Sequence, residues 1–554
     1  MNWYLFFLNL LVAGFLITIA RHSFLRARFF LHIFQQKGYK LNEYWQWLQQ
    51  RWNSRVITPK HTLYLVIVVA LLWLLSDMLT GSAAIIILTI FGFFWFGPFD
   101  YYADEKQKKP LVLTPRMIRL SIPFAILCLL IPALTTWWAF SSGGSRLEQM
   151  VLVMSVDVYL LCFGWVLGNA LIPFFIFAAA KITEPYERRV HQYFINQAKK
   201  KLTKMPDLTV IAITGSYGKT STKFMIRDLL KERMSVCSTP GSYNTPMGIC
   251  KVINNDLEAH HQVLILEMGA RYEGNIDELC DIVEPQISVV TNVGLAHLET
   301  FGSQDAIART KSTLVRRLKP NGTAVLNADD ERVRNMQILR DDIHVLETGL
   351  EYGSITAANI HYDHQGTHFI VHTEKETETF RTQLLGAHNV QNLLLAIGVA
   401  SHFNIRLKTM ALAARDIEPI EHRLELKKQG ELYVIDDAFN SNPTGAKNAV
   451  EILSQFDSGR RIIITPGMIE LGEIEDEKNR EFGRQIGRAN LDLVVLVGPN
   501  RTAVIREGIN ETDLPADRVK VVESLFKANE LVQDYAKPGD VVLYENDLPD
   551  SFDE

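Results

Sequence analysis

The sequence predicts an α-helical membrane domain of about five spans, then an α/β phosphate-loop domain, then a C-terminal Rossmann-like α/β domain. Three observations predict it. Before about residue 183 the chain runs apolar at bilayer length, near 3–20, 62–79, 81–97, 120–140 and 149–180. Beyond Glu184 the apolar runs shorten to buried-strand length and alternate with helical patterns, as in "LTVIAIT", "VLILEM", "ISVVTNV" and "TAVLNA". After the first of these comes "AITGSYGKTST" (Ala212–Thr222), the strand, glycine turn and helix start that form an anion site.

Composition supports the division. Of the 554 residues 47% are hydrophobic and 21% charged, an average over two unlike halves. A net charge of −5 gives no electrostatic footprint for nucleic acid. The five cysteines show no C-x-x-C spacing, which argues against a thiolate metal site or a disulfide framework and suits a reducing compartment.

In chain order, the first apolar run is followed by "RHSFLRARFF" and not by a small-residue cleavage site, so it reads as a span. Eight Lys/Arg face one acid between the first two spans, and Lys106, Lys108, Lys109, Arg116 and Arg119 lie between the third and fourth. The positive-inside rule then puts the N-terminus outside and everything after the fifth span in the cytosol. Pro173 is placed to kink the long last run. We divide the chain into a membrane domain (1–183), a connecting helix (184–206), a central domain (207–419) and a C-terminal domain (420–554). Near 352–384 short alternating runs predict an antiparallel sheet appended to the core. After a hinge near 420, "LYVIDDA", "RIIITPG", "LDLVVLVG", "VKVVES" and "DVVLYEN" predict a second, smaller doubly wound sheet.

The phosphate loop departs from G-x-x-x-x-G-K-[ST], because Ile213 stands at the first glycine while Gly215, Gly218, Lys219 and Thr220 remain. Polar residues follow each strand: Glu267 after "VLIL", and Asn292 and His297 after "ISVVT", with Lys311 on the helix fourteen residues beyond His297. A lone strand-end glutamate is usually a cap or a solvated carboxylate, and a lone histidine is usually structural. Beside a phosphate loop, the Thr220 hydroxyl and Glu267 carboxylate are instead the oxygen donors Mg²⁺ requires. "NADD" (Asn327–Asp330) reads as a structural turn.

Nine blocks occur in order: "GSYGKTST", "SYNTPMGICKVI", "LEMGARYEGNIDEL", "TNVGLAHLETFGS", "ARTKSTL", "LNADDERV", "LLGAHNVQNLLLAIG", "DDAFNSNPTG" and "GMIELGE". Together they resemble the Mur ligases, and within them the MurF branch, over about residues 207–475 with a weaker tail to 554. The resemblance makes the truncated loop a family variant. It implies ATP and Mg²⁺, with Gly215, Ser216, Gly218, Lys219, Thr220 and Ser221 around the phosphates. Thr220, Glu267, His297 and a carbamylated Lys311 would form the metal side, Lys219, Lys311, His297 and Glu267 being the catalytic set. Asn389 and Asn392 would lie near the adenine, and Arg423 and Asp437 would close over the nucleotide. Asn244, Thr245 and Asn440 would face substrate. The implied reaction is phosphorylation of an acceptor carboxylate, followed by attack of an amino acid or dipeptide amine.

Two departures bear on substrate. Membrane spans stand where MurF enzymes carry a UDP-sugar recognition domain, and "VVLYENDLPDSFDE" replaces a "KGS"-type motif. The expectation is a membrane-anchored ligase of peptidoglycan or cell-envelope synthesis, multi-pass in the plasma membrane, whose acceptor is a small molecule or lipid-linked. The anchor could equally recruit it to envelope-assembly proteins. The alternatives are a ligase for another polymer, as in poly-γ-glutamate or folylpolyglutamate synthesis, and a nucleotide-binding scaffold without catalysis.

Overall fold

The computed structural model describes residues 2–52, 111–142, 164–241, 243–294, 298–419, 424–437, 443–456, 459–469, 471 and 474–546. The chain divides into two compact units, Met1–Gln192 and Tyr193–Glu554. In the first, α1 (Asn2–Gln36) runs unbroken from the apolar N-terminus into the basic stretch, and α2 (Leu41–Gln50) follows a turn at Gly38 and Tyr39. With α3 (Pro115–Ser142) and α4 (Ile172–Thr203) they share one core, in which Phe30 and Phe34 meet Tyr44, Leu48, Met117, Phe124 and Ile176. A short helix, Gly164–Ala170, meets α4 at 67°. Pro173, in the first turn of α4, lacks the N–H that would continue the earlier helix. The Tyr44 hydroxyl donates to its carbonyl at 3.2 Å. Arg119, near the start of α3, donates to both oxygens of Glu187 at 2.6 and 2.9 Å.

Among the described residues, Pro115–Thr135 is the one helix long and apolar enough to cross a bilayer, and the bent pair adds a second if it counts as one span. The expected count of about five is therefore not supported by the described residues, which match only the runs near 120–140 and 149–180. The runs near 62–79 and 81–97, and residues 149–163, lie outside them. Residues 3–20 form the first part of α1.

The second unit is built on two sheets. The larger comprises β1 (Thr209–Thr214), β2 (Val236–Ser238), β3 (Val263–Glu267), β4 (Ile287–Val290), β5 (Thr323–Asn327), β6 (His344–Gly349), β7 (Ile355–Asp363), β8 (Gly366–His372) and β9 (Thr377–Thr382). Their order is β2-β3-β1-β4-β5-β6-β7-β8-β9, parallel through β7 and antiparallel at β8 and β9. The antiparallel strands expected near 352–384 thus extend the central sheet rather than forming their own. Crossover helices α5 (Lys219–Leu230), α6 (Pro246–Asn255), α7 (Asn275–Ile282) and α8 (Gln304–Arg316) link the parallel strands, and α9 (Ala387–His402) follows β9. Ile211 and Ile213 of β1 are wholly buried, packed with Met225 and Ile226 of α5 and Leu393 and Ile397 of α9.

The smaller sheet has the order β10-β11-β15-β12-β13-β14, from β10 (Glu425–Gln429), β11 (Leu432–Asp437), β12 (Arg461–Thr465), β13 (Leu493–Val497), β14 (Val519–Val522) and β15 (Val541–Glu545). All pair in parallel except β10, a polar antiparallel edge that lies in the stretch read from sequence as a hinge. Tyr362 and Leu385 belong to the core of this smaller sheet, with Ile435 and Ile463. The ring of His364, at the β7–β8 turn, stacks on Tyr433 at 3.9 Å. The carboxyl ends of both sets of parallel strands carry the polar residues discussed below, as open parallel sheets place their ligands.

Candidate active site

Between β1 and α5 the chain turns from strand to helix in four residues, Gly215–Gly218. A Cβ on Gly215 would lie 1.8 Å from Thr291 Oγ1. Gly218 caps α5 at φ +79°, where a side chain is strained, and a Cβ there would lie 2.4 Å from Asn392 Oδ1. Ile213 is the penultimate residue of β1, so the strand simply continues where the longer loop would begin. The N–H groups of Ser216 and Tyr217 both donate to Asn292 Oδ1, at 3.1 and 2.9 Å, so they already converge on one oxygen. Lys219 Nζ donates back to the Gly215 and Ser216 carbonyls at 2.8 and 3.2 Å. Asn292 was noted from sequence as a strand-end polar residue without a role. Its hold on the loop is visible only once β4 lies beside β1.

Glu267 ends β3 and is 1% exposed. Its Oε2 accepts from Thr220 Oγ1 at 2.8 Å and its Oε1 from Asn244 Nδ2 at 3.1 Å. Lys223, one turn beyond Thr220 on α5, places Nζ 3.6 Å from Glu267 Oε2 and also donates to the Gly241 carbonyl. Sequence reading did not single out Lys223; its i+3 spacing from Thr220 on the same helix face was the available signal. Thr245 caps α6, its Oγ1 accepting from Gly248 N at 3.3 Å. That accounts for Thr245 structurally, and Asn244 is the member of the pair in contact with Glu267.

Lys311 sits on α8, 4% exposed, its side chain with no hydrogen bond or ion pair among the described residues. Burial, and then the nearby Lys219 ammonium, push its pKa down to about 7. Burial likewise lowers Lys219, against the pull of Glu267. The structure thus joins Thr220, Glu267 and Asn244 directly and makes Lys219 an electrostatic neighbour of both Glu267 and Lys311. His297, Arg423 and Asn440 lie outside the described residues. Among the described residues no three His, Cys, Asp or Glu side chains cluster as a metal site. A hard cation here would therefore draw on the hydroxyl of Thr220, the carboxylate of Glu267 and ligand oxygens, a donor set that suits Mg²⁺.

Beside the loop opens a cleft of about 940 Å³, lined by Gly218, Ser221, Asn389 and Asn392 and, from the smaller sheet's side, Leu424 and Asp437. Asn389 Nδ2 donates to the Leu385 carbonyl at 2.8 Å, and Asp437 Oδ1 accepts from Leu424 N at 3.2 Å. Asn327 and Asp330 knit the floor: Asn327 Nδ2 donates to the Thr291 carbonyl, and Asp330 Oδ2 accepts from Val293 N, both at 2.7 Å. The "NADD" turn is structural, as its sequence suggested. A phosphate loop opening into a cleft with apolar Phe224 and Leu424 on its walls fits a nucleoside triphosphate.

Residues 213–400 match the Mur ligase middle domain, and residues 422–544 match the Mur ligase, glutamate ligase domain. The UDP-N-acetylmuramoyl-tripeptide–D-alanyl-D-alanine ligase of Mycobacterium tuberculosis is 35% identical over 358 residues, 61% of this chain and 70% of its own length. The chain belongs to the Mur ligase family. Like the rest of the Mur ligases it is an ATP-dependent enzyme that forms amide bonds. The Bacillus subtilis protein of the same name is 29% identical over 60% of this chain and 72% of its length. Solved MurF structures resemble the chain. That from Acinetobacter baumannii has a TM-score of 0.55 at 27% identity, covering 64% of this chain and 77% of its own. That from Thermotoga maritima, in complex with ADP, has a TM-score of 0.54 at 26% identity, covering 64% and 80%.

Proposed function

We propose that this Mur ligase is a membrane-anchored enzyme of peptidoglycan synthesis, working on a MurF-like pattern at the cytosolic face of the plasma membrane. The observation that carries the chemistry is Lys311, a buried lysine without a side-chain partner among the described residues. Its pKa of about 7 leaves a large share of free amine at neutral pH, and it lies beside Lys219, itself an electrostatic neighbour of the buried Glu267. A neutral amine can take up CO₂ as a carbamate, turning a cation that would repel Mg²⁺ into an anionic ligand. Thr220, Glu267, the Lys311 carbamate and His297 would hold the metal, which when bound offsets charge on the transferring phosphoryl group.

The chain's own groups supply the rest. The amides of Ser216 and Tyr217 and the Lys219 ammonium swing from their internal partners to the ATP phosphates. Asn389 and Asn392 would flank the base, and Arg423 and Asp437 would close the cleft, which excludes water. The acceptor carboxylate attacks the γ-phosphorus, ADP leaves, and the acyl phosphate stays in the closed site. An amine then attacks the acyl carbon, inorganic phosphate leaves, and an amide has formed.

The helix Pro115–Thr135 and the bent pair ending in α4 supply the anchor, and the rule of positive loops supports a cytosolic catalytic half. The curated relatives act, by their names, on a UDP-linked muramoyl tripeptide and D-alanyl-D-alanine. The membrane anchor supports a lipid-linked acceptor as the second reading. Phosphate release by the detergent-purified chain, followed with UDP-linked and lipid-linked muropeptides and a set of amino acids and dipeptides, separates the two. No stimulated release across that set, with ATP still bound, would overturn the ligase reading for this substrate class. Lys311→Ala should reduce turnover at least about a hundredfold, with partial recovery on adding formate or acetate; unaffected turnover would exclude the carbamate.

A further inference from the structure

Lys223 is wholly buried, yet nothing in phosphoryl transfer calls on it. It sits one turn along α5 from Thr220, and its Nζ joins two parts of the site. One is Glu267 Oε2, 3.6 Å away, and the other is the carbonyl of Gly241. Gly241 belongs to the loop that carries Asn244 and Thr245. That loop is tied down again at Asn244, whose Nδ2 donates to Glu267 Oε1 at 3.1 Å and whose carbonyl accepts from Gly269 N at 3.0 Å. Its start is fixed by Thr239, whose N–H donates to the Ile265 carbonyl of β3 at 3.2 Å.

Two consequences follow from these contacts. When a cation draws on Thr220 Oγ1 and Glu267 Oε2, the 2.8 Å hydrogen bond between them is given up. Lys223 and Asn244 are then the groups that keep the carboxylate from swinging. Both also hold the 239–245 loop, so the carboxylate and the loop are ordered by the same two side chains. A lysine with its charge matched to Glu267 is moreover costly to bury unless both of its bonds are kept.

We propose that Lys223 is a positioning residue that couples the order of the substrate-side loop 239–245 to occupancy of the nucleotide–metal site. The coupling rests on the reading of Glu267 as a metal-side carboxylate. It makes the described residues of the loop, 239–241 and 243–245, best ordered when the phosphorylating half of the site is loaded, so an enzyme without ATP and Mg²⁺ presents a looser acceptor site.

Hydrogen exchange followed by mass spectrometry on the full chain in detergent tests this, with and without Mg²⁺ and a non-hydrolysable ATP analogue. In the unaltered chain, loading should slow exchange in peptides covering 239–245 by about five- to tenfold, the size that one hydrogen bond supplies. In Lys223→Met that slowing should vanish while peptides of β1 and the start of α5 still respond. Lys223→Arg, which keeps the charge and two donors, should restore at least part of it. A loop in the unaltered chain that does not respond to loading overturns the proposal whether or not Lys223→Met folds. So does an undiminished response in Lys223→Met. Binding of the same analogue without any need for Mg²⁺ would instead defeat the metal reading on which the coupling rests, and is measured separately by analogue fluorescence.

Discussion

Lys311 shows how far a single residue's environment departs from its type. Its pKa of about 7 in the folded chain lies below the 10.5 of an ordinary lysine. The unfolded chain therefore binds more protons between those values, and this group makes stability rise with pH across that window. The cost is full below about pH 7, where it is on the order of 4–5 kcal/mol, and gone above 10.5. Lys311→Met should accordingly raise stability to denaturant at pH 7 and flatten its rise toward pH 10, while abolishing turnover. A mutant that is no more stable at pH 7 than the parent would contradict the buried-amine account. Gly218 makes a second prediction at this scale. Gly218→Ala adds about 1 kcal/mol of backbone strain at φ +79° and pushes on Asn392. Nucleotide affinity should fall at least about tenfold, measured by titration calorimetry, with the fold retained.

Among elements, the β7–β8 turn has the clearest mechanical role. It belongs to the larger sheet, yet Tyr362 is part of the smaller sheet's core and the His364 ring lies flat on Tyr433. The turn thus mounts the sheet that carries Asp437 on the sheet that carries the phosphate loop. His364→Ala should cost about 1 kcal/mol of stability in denaturant unfolding, and lower kcat more than nucleotide affinity, because closure depends on that mount. Equal loss of both would assign the turn to nucleotide binding instead. From sequence these strands were legible as short and antiparallel, from the alternation in "THFIVHT" and "TFRTQLL". That they continue the parallel sheet was not, since sheet membership depends on which edge is free, and β6 leaves one. β10 escaped for a related reason: "ELKKQ" has a single apolar residue, Leu426, too few to show alternation, as an edge strand can.

For the whole molecule the open quantity is the anchor. If the chain is embedded by the helix Pro115–Thr135 and its neighbours, it should stay with the membrane pellet through an alkaline carbonate wash and leave it only with detergent. Release by carbonate alone would reduce the anchor to a surface attachment. The apolar runs predict a membrane half because bilayer-length hydrophobicity is a one-dimensional property. How many of those runs are single crossings is a matter of helix breaks and packing, such as the 67° bend near Pro173.

By itself the sequence determined the α/β character of residues 207–554, the phosphate loop with Thr220, the strand-end Glu267 and the helix residue Lys311, because each depends on local pattern and on nine blocks in register. Only the tertiary structure decided that Asn244 and Lys223 share one carboxylate, and that Asn292 holds the loop's amides. It also decided that Lys311 is buried beside Lys219. These are contacts between residues 23 to 92 positions apart, made when parallel strands align their carboxyl ends. Burial and charge pairing belong to that alignment, and the chemistry of the site depends on both.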